Sequence, residues 1–370
     1  MQLNQSFQKK IVHLKVNMQN KKIIKFNEAI NFALKKAMYR DNKMICYGLG
    51  INDPKSIFGT TKDLKKKFGK SRVFDMPTSE NAMTGVSIGA AINGVRSVVT
   101  HQRLDFFLLA MDQLVNSAAK WHYMFGGKMS VPITIRLIIG RGWGQGATHS
   151  QSLHAWFAHI PGLKVVSPSN SYDAAGLLYA SIFDPNPVIY LEHRWLHNTD
   201  GKKNTLTKIP QLEKAKILKR GKDITLISFS YLTLEALEAS KFLEKYNISC
   251  EVIDLISIKP LDWNTIFNSI KKTGRVIVLD MGATTGSVAG EIIAKISINK
   301  FKNLKSAPAR IAMPDIPVPT SFGLTKDFYP STNDIIQKIL SIFGKKINYE
   351  KKLFERNPHD IPDKFFKGPF

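Results

Sequence analysis

One carboxylate, Glu80, stands at the start of a segment otherwise built of small and apolar residues, PTSENAMTGVSIGAAINGVRS over 77–97. Ser79 is placed to cap a helix that begins at Glu80. The residues behind it are small enough for neighbouring backbone to approach closely: Ala82, Gly85, Gly89, Ala90, Ala91 and Gly94. A poorly hydrated carboxylate usually has a chemical role, although a glutamate here also favours a helix N-terminus simply through the helix dipole.

The sequence that follows favours the chemical interpretation. Between Gln113 and Tyr172 there is no Asp or Glu, whereas basic residues recur. They are Lys120, Lys128, Arg136, Arg141 and Lys164. A positively charged stretch of this kind is typical of a region that binds an anionic ligand.

His149 is a second candidate for proton chemistry. In the segment GATHSQS it stands between two hydroxyl-bearing residues at a predicted loop-to-helix junction, where proton-transfer groups commonly lie. The spacing of the nearby histidines does not predict a metal site, because no carboxylate or cysteine accompanies them. The position alone does not distinguish a catalytic histidine from a structural one.

Glycines alternate along residues 140–146 and include a G-x-G-x-x-A match over Gly142 to Ala147. That pattern opens dinucleotide-binding sites, which also need an acidic residue about 20 positions later for the ribose hydroxyls. Because no acid comes before Asp173, the pattern favours a flexible loop that shapes a pocket. A nicotinamide oxidoreductase is therefore the weakest alternative.

Alternating helix and strand patterns around these residues predict an α/β fold. The predicted helices of the first half are 26–38, 80–93, 104–119, 151–158 and 171–183, and the strands are 44–49, 96–100, 131–139, 163–168 and 187–192. The near-continuous Val and Ile of the strands is typical of a buried parallel sheet.

A second α/β unit follows a polar, lysine-rich segment. Its predicted strands are 223–230, 249–255, 274–280 and one near Arg310, and its helices are 232–245, one from Asp262, and 286–298. The expected organisation is a basic lead-in (1–23), a first domain (24–195), a linker (196–222), a second domain (223–343) and a tail (344–370). The tail either wraps a partner or is loosely held.

Composition excludes several classes of protein. The 370 residues carry a net charge of +24, but the lysines are scattered in pairs rather than clustered, so the charge does not predict a nucleic-acid partner. Cys46 and Cys250 are too far apart for a CxxC site, no apolar run reaches the roughly 20 residues of a membrane span, and no secretory signal pattern is present. We expect a cytoplasmic protein without a membrane partner.

Long segments resemble the β subunit of thiamine-diphosphate-dependent 2-oxo-acid dehydrogenases, of the pyruvate dehydrogenase first-component type. The resemblance covers about residues 24–340 and includes RVFDMPTSENAMTGVSIGAA, AMDQLVNSAAKWHYMFGGKMSVP, THSQSLHAWFAHIPGLKVVSPSNSYDAAGLL, EVIDLISIKPLD and PDIPVPTSFGLTKDFYP. It implies two three-layer α/β domains with mostly parallel sheets. The first is a transketolase-like pyrimidine-binding domain and the second is similar to the transketolase C-terminal domain.

The resemblance also implies roles for particular residues. Glu80 matches the glutamate that hydrogen-bonds the aminopyrimidine ring of thiamine diphosphate and so activates the cofactor. Phe106 matches the aromatic residue that stacks on that ring, and His149 matches the active-site histidine. By its spacing alone Phe106 would be a core residue, because it lies in a helical run of apolar side chains.

One part of the family's cofactor site has no counterpart in the chain, the GDG motif with a later Asn that holds magnesium and the diphosphate. Mg²⁺ and two phosphates need several oxygen ligands. The resemblance therefore implies that a separate α-type subunit supplies them, in an α2β2 heterotetramer.

Two further predictions concern the substrate and an ion. Where relatives carry an acidic-aromatic segment, this chain has His101, Gln102 and Arg103, which we predict to contact a polar or anionic acceptor, since a guanidinium binds carboxylate or phosphate bidentately. Asp184 and Asn186 match a region where some relatives hold a structural monovalent cation such as K⁺. The same residue types are also those that a tight turn selects.

The leading hypothesis is a subunit that, with its α partner, decarboxylates a 2-oxo acid on thiamine diphosphate and transfers the acyl group to a lipoyl domain. The alternative keeps the cofactor but passes a two-carbon or acyl unit to an aldehyde or sugar, as a transketolase-like carboligase does. A noncatalytic RNA-associated scaffold is a third hypothesis, and Glu80 and His149 argue against it.

Overall fold

Helices and strands alternate through the first half of the chain, as the hydrophobic pattern predicts. The computed structural model describes residues 22–140, 144–207 and 210–354, together with His359 and Ile361. The elements of this half are β1 Ile23–Lys25, α1 Phe26–Arg40, β2 Ile45–Gly48, α2 Leu64–Phe68, β3 Val73–Asp75, α3 Glu80–Ile92, β4 Ser97–His101, α4 Leu104–Phe107, α5 Ala119–Met124, β5 Ile133–Ile139, α6 His154–His159, β6 Lys164–Val166, α7 Ser171–Phe183, β7 Val188–His193 and β8 Asp200–Lys202.

The second half repeats the alternation. Its elements are β9 Lys216–Lys219, β10 Ile224–Ser228, α8 Tyr231–Glu244, β11 Cys250–Asp254, β12 Ser257–Lys259, α9 Trp263–Thr273, β13 Val276–Ala283, α10 Val288–Lys300, β14 Ala309–Met313, α11 Phe322–Thr325 and α12 Thr332–Phe343. Several elements lie outside those predicted from the pattern, namely the helices α2, α11 and α12 and the short strands β1, β3, β8, β9 and β12.

Two mostly parallel sheets organise these elements. The larger has the order β12-β6-β7-β5-β4-β2-β3, in which only the edge strand β12 is antiparallel to its neighbour. The smaller has the order β14-β13-β10-β11-β9, with β9 antiparallel at the edge. Every residue of β5 is buried, as expected for a strand covered on both faces. The predicted class, two α/β domains with mostly parallel sheets, is confirmed.

The two units are joined by main chain and by a buried hydrogen bond. Strand β12 leaves the second unit and pairs with β6 of the first. The His154 Nε2 and Asp280 Oδ1 atoms are 2.8 Å apart, and both side chains are fully buried. The predicted linker 196–222 contains two edge strands, of which β8 pairs with β1 and β9 with β11.

The predicted helix 104–119 is interrupted. It consists of α4, a 3-10 turn at Leu108–Ala110, a wide π-type turn at Gln113–Ala118, and then α5. The buried apolar positions explain the change of pitch, because they are spaced by three residues and then by four: Leu104, Phe107, Ala110, Leu114 and Ala118. A three-residue spacing suits the tight turn and a four-residue spacing the wider one.

The predicted tail is partly described. Tyr349 and Phe354 each lie with ring centroids near that of Phe242 on α8, at 5.1 and 5.2 Å. This portion therefore packs on the second unit, whereas the lead-in lies almost wholly outside the described residues. Within the described part of the chain, no helix is long and apolar enough to cross a membrane; a cytoplasmic location stays a prediction.

A buried ion pair at the centre of the larger sheet gives a test of the fold. Arg136 Nη2 lies 2.6 Å from Glu192 Oε1, and both side chains are fully buried. Burial alone would raise the pKa of Glu192, but Arg136 and His197 lower it below its usual value. Arg136→Met would leave the carboxylate buried without its main partner, so we expect a loss of about 3–5 kcal/mol in the free energy of unfolding, measured in urea at pH 7.

The double variant Arg136→Met/Glu192→Leu is the control. Because it removes both charges, it should recover much of that loss. A single variant that unfolds at the same urea concentration as the wild type would contradict the assignment.

Candidate active site

Glu80 is the first residue of α3, at the carboxyl edge of the larger sheet. Its side chain is 5% exposed. Among the described residues no hydrogen bond or ion pair of its carboxylate is found, and its oxygens are not among the fully buried atoms that lack a partner. Ser79 occupies the N-cap position without making a side-chain cap bond, so the predicted cap is not formed. The Glu80 carboxylate oxygens stay accessible, and they can accept a hydrogen bond from a ligand.

The helix that carries Glu80 is hydrogen-bonded to the core on one side and has open space beside its glycines. The Tyr47 hydroxyl donates to the Met83 carbonyl at 2.7 Å, and the Thr84 hydroxyl donates to the Glu80 carbonyl at 3.0 Å. The close backbone approach predicted for the glycines is not found within the described chain. A Cβ built on Gly85 would lie 3.5 Å from the Gln113 Oε1 atom, and one on Gly89 or Gly94 would meet nothing within 4 Å.

Phe106 and His149 lie side by side. Their ring centroids are 5.3 Å apart and the rings are perpendicular, the edge-to-face arrangement that aromatic quadrupoles favour. His149 Nδ1 is 2.9 Å from the Thr148 hydroxyl oxygen. Phe106 is 37% exposed, so the ring presents a face to its surroundings rather than to the core, contrary to its spacing in the sequence.

Chain topology places all three residues at one edge. Glu80 follows strand β3, Phe106 follows β4 and His149 follows β5. These strands are parallel members of one sheet, so their carboxyl ends meet at the edge where α/β proteins commonly bind ligands. Helix α3 also packs against the turn Leu108–Ala110 that follows Phe106.

His149 is carried by residues 144–151, which we term the histidine loop. Gly144 and Gly146 adopt positive φ angles of 65° and 67°, a conformation that glycine adopts readily. Gly142 of the dinucleotide-binding pattern lies outside the described residues. The loop reaches only the six-residue helix α6, which begins at His154. A helix N-terminus therefore does not follow the glycines directly, as a pyrophosphate site would need.

The three residues predicted to bind the acceptor contact different parts of the structure. His101 is fully buried, and its ring lies 5.0 Å from that of Phe107. Gln102 Nε2 lies 3.5 Å from Asp53 Oδ2. Arg103 is 5% exposed and its guanidinium donates to the Gln145 side-chain oxygen in the histidine loop. Arg103 is the member of this trio that reaches the active-site residues.

Burial of His101 predicts an acid-sensitive fold. Burial lowers the pKa of His101 from 6.5 to about 4, and neither ring nitrogen has a hydrogen-bond partner among the described residues. Because the folded-state pKa is depressed, the stability contribution is complete above pH 6.5 and is lost as the pH falls towards 4. His101→Leu should reduce the fall in unfolding free energy over this range by up to about 1.4 kcal/mol per pH unit.

The measurement is urea unfolding at several pH values between 4 and 7. His159 is exposed, so His159→Leu is the matched control and should leave the slope unchanged. Equal slopes for His101→Leu and the wild type would contradict the prediction.

The side chain of Lys164 lies beside the candidate cation site. Asp184 Oδ2 lies 2.5 Å from Lys164 Nζ, and Asp184 Oδ1 accepts a hydrogen bond from the Asn186 amide at 2.9 Å. In the described part of the chain, no three His, Cys, Asp or Glu side chains are grouped so that they could hold a metal ion. The Lys164 ammonium already balances the carboxylate charge, and the K⁺ site stays a prediction.

Contacts that the sequence pattern did not reveal join the histidine loop to its neighbours. Asp105 Oδ1 accepts hydrogen bonds from the Gln151 amide and side chain, at 3.3 and 2.8 Å. Thr320 of the second unit lies directly against Gly144 and Gly146. These residues are far apart in the sequence, so no local signal could have paired them.

Each of the two units matches the model of a known domain family. The family model for the transketolase pyrimidine-binding domain matches residues 22–199, and that for the transketolase C-terminal domain matches residues 213–335.

Curated relatives match most of this chain. The pyruvate dehydrogenase E1 component subunit beta of Rickettsia bellii is 38% identical over 330 residues, which are 89% of this chain and 99% of the relative. The acetoin:2,6-dichlorophenolindophenol oxidoreductase subunit beta of Bacillus subtilis is 37% identical over 336 residues, 88% of this chain and 98% of the relative. A mitochondrial pyruvate dehydrogenase E1 component subunit beta-1 of Oryza sativa subsp. japonica is 38% identical, covering 84% of each chain.

Solved structures share the fold. A split gene transketolase, described as an inactive beta4 tetramer, has a TM-score of 0.71 at 19% identity and covers 88% of this chain and 99% of its own. A transketolase from Leishmania mexicana has a TM-score of 0.65 at 16% identity, covering 87% of this chain and 46% of its own. At these identities the likeness concerns the fold.

Proposed function

Because this chain belongs to the β subunits of thiamine-diphosphate-dependent 2-oxo-acid dehydrogenases, we propose that Glu80 activates the cofactor in a site completed by an α-type subunit. The observation that carries the proposal is Glu80, a residue that is 5% exposed and whose carboxylate oxygens remain accessible and have no partner among the described residues. Such a group fits a ligand nitrogen that donates or shares a proton.

Each of the three residues then has a distinct task. Thiamine diphosphate, when bound, would supply a carbon nucleophile for the 2-oxo acid. Glu80 hydrogen-bonds the aminopyrimidine ring nitrogen and controls its protonation. Phe106 offers an apolar ring face, and His149, held at Thr148 Oγ1, exchanges a proton with the substrate during the reaction.

Exposed apolar side chains support the proposal of a partner subunit. Val86 of α3 is 47% exposed, and Leu109, Tyr123 and Met124 are 69%, 87% and 58% exposed. Large apolar side chains that are exposed commonly mark a protein interface. In the proposed α2β2 heterotetramer the α subunit covers these side chains and provides the oxygen ligands for Mg²⁺ and the diphosphate, which need several such atoms.

The substrate is proposed to be a 2-oxo acid, and the acyl group is proposed to pass to a lipoyl domain. The competing acceptor, an aldehyde or sugar, is favoured by one feature of the sequence, the segment His101, Gln102 and Arg103, of which Arg103 contacts the histidine loop. The two reactions differ in redox balance, because acyl transfer to a lipoyl disulfide reduces the disulfide whereas carboligation has no external electron acceptor.

Co-expression with the α-type subunit tests the function. The purified complex, with thiamine diphosphate and Mg²⁺, should release carbon dioxide from a 2-oxo acid and reduce either a lipoyl domain or the dye dichlorophenolindophenol. Turnover of a sugar donor with an aldehyde, without dye reduction, would favour the carboligase. A complex that turns over nothing but binds RNA with a steep salt dependence would favour the scaffold.

A further inference from the structure

The segment Arg103–Phe106 touches the histidine loop at three successive points. The Arg103 guanidinium donates to the Gln145 side-chain oxygen near the loop's start. Asp105 accepts two hydrogen bonds from Gln151 at the loop's end. Between these ends, the Phe106 ring meets the His149 ring. One short segment therefore contacts both ends of the loop and its functional side chain.

The loop needs such support. Gly144 and Gly146 have positive φ angles, and glycine has more backbone freedom to lose than any other residue. The turn that leads to His149 is closed by a long hydrogen bond, from the His149 amide to the Gly146 carbonyl at 3.4 Å. Most of the conformational restriction of this loop must therefore come from outside it.

Support also comes from the second unit. A Cβ built on Gly144 would lie 3.1 Å from the Thr320 carbonyl oxygen, and one on Gly146 would collide with the Thr320 hydroxyl. Thr320 limits how far the loop can move towards the second unit. The bonds from Arg103 and Asp105 limit how far it can move away from α4.

The placement of Arg103 favours this role over contact with a substrate. Its side chain is 5% exposed and burial lowers its pKa, while Asp105 acts in the opposite direction. A group that served mainly to recruit an anionic acceptor would present its donors to an open site. Here one donor is used for Gln145, and hydrogen bonds to a charged group are among the stronger ones in proteins.

We propose that Arg103 and Asp105 are positioning residues that hold both ends of the histidine loop and so fix the His149 ring against Phe106. The inference rests on the proposed function, in which His149 exchanges a proton with the substrate. Its consequence is kinetic, because a displacement of about 1 Å of a reacting group lowers the rate by on the order of 100-fold.

The first test compares two substitutions of Asp105 in the complex with the α subunit. Asp105→Ala removes the acceptor for Gln151, whereas Asp105→Asn keeps an oxygen in its place. We expect Asp105→Ala to lower kcat by about 10-fold or more with KM changed by less than about twofold, and Asp105→Asn to restore most of kcat. Deuterium uptake by a peptide covering 144–153 should rise in Asp105→Ala and return towards the wild-type value in Asp105→Asn.

Asp112→Ala is the matched control. Its carboxylate is exposed and bonds to Asn116 at 2.7 Å and to Gln113 at 3.3 Å. Deuterium uptake by the histidine loop and kcat should both stay at wild-type values. If Asp105→Ala does not fold, Gln151→Ala removes the same bonds from the loop side and carries the same expectation.

The second test separates positioning from substrate contact at Arg103. If Arg103 is a positioning residue, Arg103→Ala and Gln145→Ala should each lower kcat. The kcat of the double variant should be little lower than that of either single variant, because both substitutions remove the same hydrogen bond. A large rise in KM for Arg103→Ala alone, with Gln145→Ala silent, would assign Arg103 to the substrate and overturn the proposal.

His149→Asn distinguishes failure of this inference from failure of the proposed function. Wild-type kcat in His149→Asn would overturn both. A strong loss in His149→Asn, with Asp105→Ala changing neither kcat nor loop exchange, would overturn the positioning role and leave the proposed function standing.

Discussion

Glu80→Gln is expected to lower the turnover of the assembled enzyme by about 10³- to 10⁴-fold. The amide has nearly the same size and shape as the carboxylic acid, but it cannot take up or release a proton. In the proposed site this removes control over the protonation of the aminopyrimidine ring while leaving the pocket intact. The measurement is kcat for carbon dioxide release with saturating thiamine diphosphate and Mg²⁺.

Glu291→Gln is the matched control for Glu80→Gln. Glu291 also lies in the first turn of a helix, α10, but its side chain is exposed. If Glu80 served only the helix dipole, both substitutions would have small effects of similar size. A Glu80→Gln enzyme that keeps more than about a tenth of the wild-type kcat would contradict a proton-transfer role.

His149→Asn is expected to lower kcat by about 10²- to 10³-fold. Asparagine retains a polar group near Thr148 but has no titratable ring, so the proton exchange assigned to His149 is lost. Cofactor affinity, measured by titration of the assembled complex with thiamine diphosphate, should change much less. The perpendicular contact with Phe106 contributes little to cofactor affinity in this proposal.

His122→Asn provides the comparison for His149→Asn. His122 is exposed, and its Nδ1 lies 2.9 Å from the Met129 carbonyl oxygen. Its replacement should leave kcat within about twofold of the wild type, because surface substitutions away from a site have small effects. Equal losses for the two histidine variants would indicate a general effect on folding rather than chemistry at His149.

The basic stretch between Gln113 and Tyr172 contains cations that are paired within the protein, and its role in binding an anionic ligand stays a prediction. Its lack of acids suggested an anionic ligand. In the structure, Arg136 pairs with Glu192 in the core, Lys164 pairs with Asp184, and Lys120 donates to the Pro161 carbonyl. Two of these cations are balanced by carboxylates that lie beyond the stretch, so local charge counting could not reveal the pairing.

Some features of the site could be predicted from the sequence and others could not. Glu80 and His149 were predicted from their type and surroundings and, with Phe106, from the resemblance to a family. Their grouping at one sheet edge follows from parallel strand order, which helix and strand periodicity makes foreseeable. The different contacts of His101, Gln102 and Arg103 could not be predicted from the sequence. They depend on which elements pack beside the end of β4.

The sequence by itself determined the α/β class, most of the helices and strands, and the carboxylate and histidine that carry the proposed chemistry. These features depend on local periodicity and residue type, which each segment of the chain contains. Only the tertiary structure decided that Arg103 and Asp105 support the histidine loop, that Thr320 closes it from the second unit, and that His154 pairs with Asp280. Such contacts join residues up to about 180 positions apart, and they form because sheet order and domain packing bring those residues together.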